Sequence, residues 1–349
     1  MHQITKGDVR MANLNTSNLD TSKIDSDTLD LLTTAFELYD IAKLDYNVYR
    51  KDNDLSIPKN LISQYYKRVK PNYNQMLFSF RRKYISNEVL VEKNDTPEER
   101  QGLSLVYDYI QNFDAEHDPF NIFINAMMIH GLLYRPLDQK NSEDFVAMRE
   151  EAQALYEEGK VERNISKIRK AKEMLNSVNS VRFGGSLRKN NVRLYDYDFD
   201  VPAATDAVRI FNTFLNPERK EEFEFFLQKD DFFAYIDYAV NITSYLIGLQ
   251  PFSDGNKRTF RSLLNLMFKM KNLPPVYITK KERKAYHAAL EKALVDQDYT
   301  AIDGFYYYKI CDSIYELDFK PLLDASRQKE REENKVLSYL PTSSTETDV

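Results

Sequence analysis

The chain has 349 residues, a net charge of −6 at pH 7 and one cysteine, Cys311. One cysteine excludes a disulfide framework and a thiolate metal site, and the negative charge argues against a nucleic-acid partner. The polar N-terminus lacks a signal-peptide pattern and no apolar run approaches the roughly 18 residues of a membrane span, so we expect a cytoplasmic protein with no membrane partner.

The composition predicts a mainly α protein, since glycine is scarce and Leu, Lys, Glu and Tyr are abundant. Residues 1–26 are polar and predict a flexible arm, followed by an N-terminal helical region over residues 27–85. Pro71 is expected to separate two of its helices, because proline cannot donate into a helix interior. The helices of this part are predicted over about 27–50, 57–69 and 72–91.

A helix start is predicted at Thr96-Pro97, where a capping residue precedes a proline and two glutamates. This helix is expected over about residues 98–113 and the next over about 119–134. The densely charged stretch over 140–178 is predicted to be an inserted helical hairpin with its turn near Gly159.

The stretch 181–198 has a different pattern. Short extended segments flank the turn-prone Lys189-Asn190-Asn191, which predicts a small β-hairpin. Helices are predicted again from Pro202 to about Leu317. Residues 328–349 are charged and rich in Ser and Thr, which predicts a disordered tail.

Two apolar helical patterns, Asp231–Leu249 and one that starts near Phe260, are separated by a loop with a proline, an aspartate and a glycine. The second helix would direct its unpaired N–H groups into this loop, which suits a phosphate. Arg258 and Arg261 are three residues apart and share a helix face. For the stretch from Asp254 to Arg258 alone, a capped corner between helices with solvated arginines is an equally good interpretation.

The longer pattern resembles the signature of the Fic (Fido) family, His-Pro-Phe-x-Asp/Glu-Gly-Asn-Gly/Lys-Arg-x-x-Arg. Every position is present except the first, where Gln250 replaces the histidine, and the lysine variant at Lys257 is also found in Doc-type toxins of the family. The matching stretch reads Gln250-Pro251-Phe252-Ser253-Asp254-Gly255-Asn256-Lys257-Arg258-Thr259-Phe260-Arg261. The resemblance implies a mainly α, Fic-type helical core with a small β-hairpin flap, in a Fic-like domain over residues 86–320.

Members of this family typically transfer the AMP moiety of ATP to a hydroxyl of a target protein, so the resemblance implies ATP and Mg²⁺ as cofactors. Asp254 would hold Mg²⁺, because a hard cation prefers carboxylate oxygen. Arg258 would bind the β/γ side of the phosphate chain and Arg261 the γ-phosphate. The α-phosphate would be held by Asn256 and by the backbone amides of Ser253, Asp254, Gly255, Asn256 and Lys257.

The predicted hairpin resembles the flap with which the family docks its target proteins. It would add an extended segment of the target along its edge and so place the target hydroxyl. The flap residues singled out by the resemblance are Leu187, Arg188, Val192, Arg193 and Leu194.

Gln250 occupies the position of the family's general base. Imidazole accepts a proton near neutral pH, whereas the oxygen of a glutamine amide does not. None of the remaining histidines, His2, His117, His130 and His287, is an obvious replacement. Three interpretations stay open: a pseudoenzyme that binds nucleotide, a transfer reaction that needs no strong base, and an engineered inactivating substitution.

Residues 86–99 resemble the inhibitory helix of many Fic proteins, Ser/Thr-x-x-x-Glu-Gly/Asn, in which the glutamate pairs with the last arginine of the signature. Glu92 takes the glutamate position and would face Arg261. Glu88 and Lys93 depart from the pattern, and an ordinary solvated glutamate at Glu92 is the alternative. A rival segment is Thr33–Glu37, which fits less well.

The first functional hypothesis is therefore an ATP- and Mg²⁺-binding Fic protein, autoinhibited and catalytically weak or inactive. The alternative is a non-enzymatic interaction module that uses the flap and the charged insertion at 140–178. The sequence specifies neither the target protein nor the oligomeric state.

Overall fold

The computed structural model describes residues 55–68, 73–115, 121–177, 184–194 and 197–316. The predicted arm at 1–26, the helix at 27–50 with the rival segment Thr33–Glu37, and the tail at 328–349 lie outside the described residues. So do His2 and His117.

Within the described ranges the chain forms eleven helices, which confirms the mainly α prediction. Their bounds are α1 Ser56–Arg68, α2 Tyr73–Glu92, α3 Pro97–Asn112, α4 Ile124–Val161, α5 Ile165–Ser177, α6 Ala204–Phe214, α7 Pro217–Gln228, α8 Phe232–Leu249, α9 Asn256–Met270, α10 Arg283–Val295 and α11 Thr300–Ile314.

The centre of the fold is the pair α8 and α9, which are buried over most of their length. By length and apolarity α8 is the one described helix that could cross a membrane, yet 56% of it is buried inside the protein. Core helices of water-soluble folds have the same properties. The Tyr235 hydroxyl of α8 donates to the Met267 carbonyl of α9 at 2.6 Å, so the two helices are also joined by a buried hydrogen bond.

The corner between α2 and α3 follows the local sequence signals. Lys93 ends α2 in the left-handed region with φ = 58°. Thr96 is the N-cap of α3, and its Oγ1 accepts the Glu99 N–H at 3.1 Å, with Pro97 at the first helical position. This cap fixes Glu99 at the first turn of α3, on the side that faces α9.

The charged insertion differs from the prediction. Instead of a helix that stops near Tyr134 and a separate hairpin, α4 runs without a break from Ile124 to Val161 and contains Pro136. The turn to α5 lies at residues 162–164, three residues beyond Gly159. An interior proline removes one backbone hydrogen bond, and packing of α3 and α5 along α4 keeps the helix intact across it.

The predicted β-hairpin flap is unconfirmed. In the part of the chain that the structure describes, the only β pairing is an isolated antiparallel bridge between Leu187 and Phe252. The Arg188 N–H donates to the Pro251 carbonyl at 2.9 Å beside it. Residues 184–194 therefore run along the loop between α8 and α9 rather than pairing with themselves.

The Lys269 ammonium joins α9 to the end of α3. Its Nζ donates to the carbonyls of Ile110, Gln111 and Phe113 at 2.8, 2.7 and 2.9 Å. The last carbonyls of a helix have no partner within that helix, so one ammonium with three donors satisfies them together.

We expect Lys269→Met to lower the free energy of unfolding by about 1–3 kcal/mol, because charge-assisted hydrogen bonds to buried carbonyls are lost. Urea denaturation followed by circular dichroism measures the effect. Lys292→Met is the matched control, because its pair with Asp298 is open to solvent and should contribute little to stability. Equal effects of the two substitutions would contradict this role of Lys269.

Candidate functional site

The loop between α8 and α9 begins and ends with a left-handed residue. Gln250 follows α8 with φ = 51°, and Gly255 precedes α9 with φ = 72°. A Cβ at position 255 would also lie 2.7 Å from the Tyr134 ring, so both backbone conformation and space require glycine. Gly255 offers the first N–H groups of α9 no side-chain acceptor, which leaves the positive end of the helix dipole directed at the loop. Ser253 and Asp254 form its exposed tip.

Two guanidinium groups lie on the buried side of α9, Arg258 and Arg261, each 4% exposed. Arg258 Nη1 donates to Glu99 Oε1 on α3. Its Nη2 donates to the Tyr134 hydroxyl at 3.0 Å and to Asp254 Oδ2 at 3.3 Å. The arginines predicted to bind phosphate are therefore not solvated, and Arg258 already has carboxylate partners.

Arg261 is held by two carboxylates from the last two turns of α2. Glu88 accepts from Nε with both of its oxygens at 3.1 Å, and from Nη2 with Oε2 at 2.5 Å. Glu92 Oε1 accepts from Nη2 at 2.7 Å, the contact expected from the sequence. Glu88 was not predicted. Its signal was the spacing i, i+4 to Glu92 within an apolar stretch, where a carboxylate needs a partner.

Electrostatics differ between these two acids. Burial opposes ionisation of Glu92, but Arg261, together with Lys257 at 3.7 Å, outweighs it and lowers the pKa of Glu92 to about 2. Burial raises the pKa of Glu88, which is only 1% exposed. Glu92 is therefore a permanent anion at physiological pH.

Gln250 is folded into the loop. Its Nε2 donates to the Ile247 carbonyl at 2.5 Å, and its Oε1 accepts from Asn256 Nδ2 at 2.9 Å. Asn256 Nδ2 also donates to the Phe252 carbonyl, and Asn256 Oδ1 accepts the Phe252 N–H. Both donor hydrogens of Asn256 are thus used within the loop. Asn256 thus shapes the loop, and its expected contact with phosphate stays a prediction.

Asp254 is placed to meet a cation. Its side chain is 70% exposed, and its Oδ2 accepts from the Tyr134 hydroxyl at 2.6 Å. Partial burial opposes ionisation, but Arg258 and the Tyr134 hydroxyl hold the pKa of Asp254 below its usual value. The described residues contain no group of three or more metal-ligating side chains. One ionised, accessible carboxylate fits Mg²⁺ in the form that keeps waters and is shared with substrate phosphates.

His130 joins the flap segment to the loop. Its Nδ1 accepts the Gly185 N–H at 2.9 Å, which assigns the proton to Nε2, and Nε2 donates to the Asp254 carbonyl at 3.0 Å. The ring stacks on Phe252 with centroids 4.0 Å apart. Burial lowers the pKa of His130 to about 4. With both nitrogens engaged and a low pKa, His130 is not a replacement for the missing base.

The predicted docking residues fall into two groups. Arg188 is buried, and its guanidinium donates to the carbonyls of Gln250 (2.6 Å), Asn190 (3.1 Å) and Pro202 (2.5 Å), so it fixes the segment in place. Leu187 forms the bridge to the loop. Beyond them a cavity of about 740 Å³ is lined by Val192, Arg193 and Leu194 together with residues of the stretch 197–203.

No family model matches the chain. Three curated relatives are each named Protein adenylyltransferase Fic. The one from Aedes aegypti is 37% identical over 73 residues, which is 20% of this chain and 15% of that protein. Those from Drosophila persimilis and Drosophila pseudoobscura pseudoobscura are 32% identical over 113 residues, 32% of this chain and 20% of each relative. The similarity thus spans at most a fifth of the curated relatives.

A solved structure, Fic-1 (residues 134–508) from C. elegans, aligns over 83% of each chain with a TM-score of 0.48 and 16% sequence identity.

We expect the His130 ring to stay neutral until the pH approaches 4. Its pKa is near 6.5 in the unfolded chain and about 4 in the folded protein, so the folded state binds the second ring proton less readily. Stability should then fall as the pH drops from 6.5 towards 4, by up to about 1.4 kcal/mol per pH unit from this group. NMR titration of the ring gives the pKa. The free energy of unfolding of His130→Gln, measured over the same pH range, should lack this contribution. A pKa near 6.5 for His130 in the folded protein would contradict the buried, hydrogen-bonded geometry.

Proposed function

We propose that this chain, which carries a Fic domain, binds Mg²⁺ and ATP at the loop between α8 and α9 and is held there in an inhibited state. One observation carries the proposal: the two buried guanidiniums of Arg258 and Arg261 lie behind an anion-binding loop, and α2 and α3 supply carboxylates to both. Buried arginines with this spacing suit a chain of phosphates, because the guanidinium fork pairs with phosphate and carboxylate oxygens alike.

In this proposal the phosphate chain runs from the loop towards α2. Backbone amides from Ser253 to Lys257 would hold the α-phosphate, Arg258 the β/γ side, and Arg261 the γ-phosphate. Asp254 would hold Mg²⁺, which neutralises charge on the phosphates when bound. The side chains of Asn256 and Gln250 would fix the loop conformation, and the backbone amide of Asn256 is among those that would hold the α-phosphate.

The reaction class is AMP transfer, in which a target hydroxyl oxygen bonds to the α-phosphorus and pyrophosphate leaves. The hydroxyl must lose its proton, and Gln250 has no usable acceptor for it, since both ends of its amide are engaged in the loop. Loss of a general base costs about 10²–10⁴-fold in rate. We therefore infer a pseudoenzyme, which binds nucleotide and has weak or absent transferase activity. As a separate proposal from the sequence, we place it in the cytoplasm.

Autoinhibition would operate through Glu92, as the resemblance to inhibitory helices implies. A phosphate oxygen and the Glu92 carboxylate would compete for the same Nη2 group of Arg261. Because Glu92 is on the chain itself and ionised at all physiological pH values, this competitor is always present at high effective concentration.

A target protein would dock beside the loop, where Val192, Arg193 and Leu194 line the cavity. The second candidate, a non-enzymatic interaction module, is favoured by the tip of the α4–α5 hairpin, where two large apolar side chains are exposed, Val161 at 86% and Ile165 at 73%. Exposed apolar side chains in proximity are typical of contact surfaces.

We expect ATP to bind more tightly with Mg²⁺ than with EDTA, and Asp254→Ala to abolish that difference because it removes the cation's only carboxylate on the exposed side of the loop. Isothermal titration calorimetry of both proteins, with and without Mg²⁺, measures it. Asp254 is exposed, so the substitution should leave the fold intact.

Asp206→Ala is the matched control, since it removes another exposed acid, at the first turn of α6. It should keep the Mg²⁺ effect in full. Identical titrations of the unsubstituted protein with Mg²⁺ and with EDTA would reject the metal assignment.

The base-loss interpretation is tested with labelled ATP and cell lysate. Because two carboxylates contact Arg261, the comparison uses the Glu88→Ser/Glu92→Gly background. There, Gln250→His should raise labelling of protein by about 10²-fold or more, the typical contribution of a general base. Equal labelling with Gln250 retained would refute the pseudoenzyme interpretation.

A further inference from the structure

The second carboxylate on Arg261 distinguishes this site from one closed by Glu92 alone. Glu88 lies one helical turn before Glu92 on α2, so both point to the same side of the helix. Glu88 is 1% exposed and Arg261 is 4% exposed. The pair is therefore a fully enclosed ion pair, and not a surface contact that water could replace.

A guanidinium can bind an oxyanion in parallel through either of two edges, Nε with Nη2 or Nη1 with Nη2, and Glu88 covers one of them. That edge consists of Nε and Nη2, and Glu88 accepts from both, whereas Glu92 accepts from Nη2 alone. Removal of Glu92 would leave Nε and Nη2 still engaged by Glu88. A γ-phosphate would then still find Nε and Nη2 occupied by a carboxylate, with only Nη1 lacking a hydrogen bond.

The net charge of the site also disfavours a terminal phosphate while both carboxylates are present. Within the connected ion pairs of Arg258, Arg261 and Lys257, four carboxylates face three cations, so this cluster has one excess negative charge. Removing one carboxylate makes it neutral and removing two makes it positive. The groups are Glu88, Glu92, Asp254 and Glu99 against Arg258, Arg261 and Lys257.

We propose that Glu88 is a second, independent lock on Arg261, so that the site accepts the terminal phosphate of a nucleoside triphosphate only when both Glu88 and Glu92 are displaced. This inference rests on the proposed nucleotide site. It makes Glu88 the residue that sets the preference of that site between a nucleoside triphosphate and a nucleoside diphosphate. A diphosphate would not reach Arg261, so its affinity would not depend on Glu88 or Glu92.

Both locks can be released by one event. Glu88 and Glu92 occupy the final turns of α2, whereas the preceding turns are attached to the core by other contacts, such as the Tyr84 hydroxyl to Ser262 Oγ at 2.6 Å and Arg81 to Asp108 at 2.9 Å. Displacement of the last turns alone would free Arg261 of both carboxylates without detaching the helix.

The test is calorimetry of Mg²⁺ with ATP and with ADP on four full-length proteins: unsubstituted, Glu92→Gly, Glu88→Ser and Glu88→Ser/Glu92→Gly. We expect each single variant to bind ATP within about threefold of the unsubstituted protein. The double variant should bind ATP about tenfold more tightly or better, the value of one charge-assisted hydrogen bond. Its affinity for ADP should change less than about threefold.

Two controls separate the lock from loss of structure. Glu88→Gln in the Glu92→Gly background removes the charge but keeps the shape, and should reproduce the gain for ATP. Lys83→Met removes the pair of α2 with Glu316 and should give no gain, because it loosens the same helix without touching Arg261. Circular dichroism confirms that each variant is folded.

The outcomes are distinct. If Glu92→Gly alone binds ATP as tightly as the double variant, Glu88 is not an independent lock, and the nucleotide site stands. If ATP and ADP gain equally, Arg261 does not meet the terminal phosphate and the inference fails. If no variant binds either nucleotide, the proposed function itself is wrong.

Discussion

The rest of this structure depends on the burial of two guanidinium groups. A buried arginine without a partner is strongly unfavourable, and α9 places Arg258 and Arg261 in the interior side by side. The carboxylates that compensate them come from α2 and α3, which precede the core in the chain by some 160 residues. The N-terminal helices are thus bound to the core through the very groups that a phosphate chain would need. In the proposed function, stability and inhibition would be two consequences of the same ion pairs.

This coupling gives the α2–α3 corner its role. The N-cap at Thr96 sets Glu99 at the start of α3, and the left-handed Lys93 ends α2 just after Glu92. Four residues of loop separate the two helices, so both sets of carboxylates reach adjacent positions on α9. Any change that shortens or stiffens this corner would alter both ion pairs at once.

Much of this arrangement follows from the sequence. The loop, its flanking helices and the cap at Thr96 were predictable because each has a local signal: a turn residue, a helical spacing, a capping pattern. The contact of Glu92 with Arg261 was expected only from the resemblance to inhibitory helices. The commitment of Asn256 to the loop was not, because it depends on which partners the folded backbone presents. The break expected near Tyr134 was wrong because packing along α4 outweighs the local effect of Pro136. In the sequence, Glu88 was recognisable only as a departure from the inhibitory-helix pattern. Its contact with Arg261 could be identified only from the folded structure.

The loop's carbonyl groups are held from several directions. Arg188 binds the Gln250 carbonyl, Asn256 the Phe252 carbonyl and His130 the Asp254 carbonyl. These anchors act on the backbone and hold the loop in addition to the two hydrogen bonds of the Gln250 side chain. One nucleotide substitution separates the codons of glutamine and histidine at such a position. If the proposed function holds, a lineage with this architecture would lose or regain a proton acceptor in a single step, while the backbone anchors that hold the loop persist.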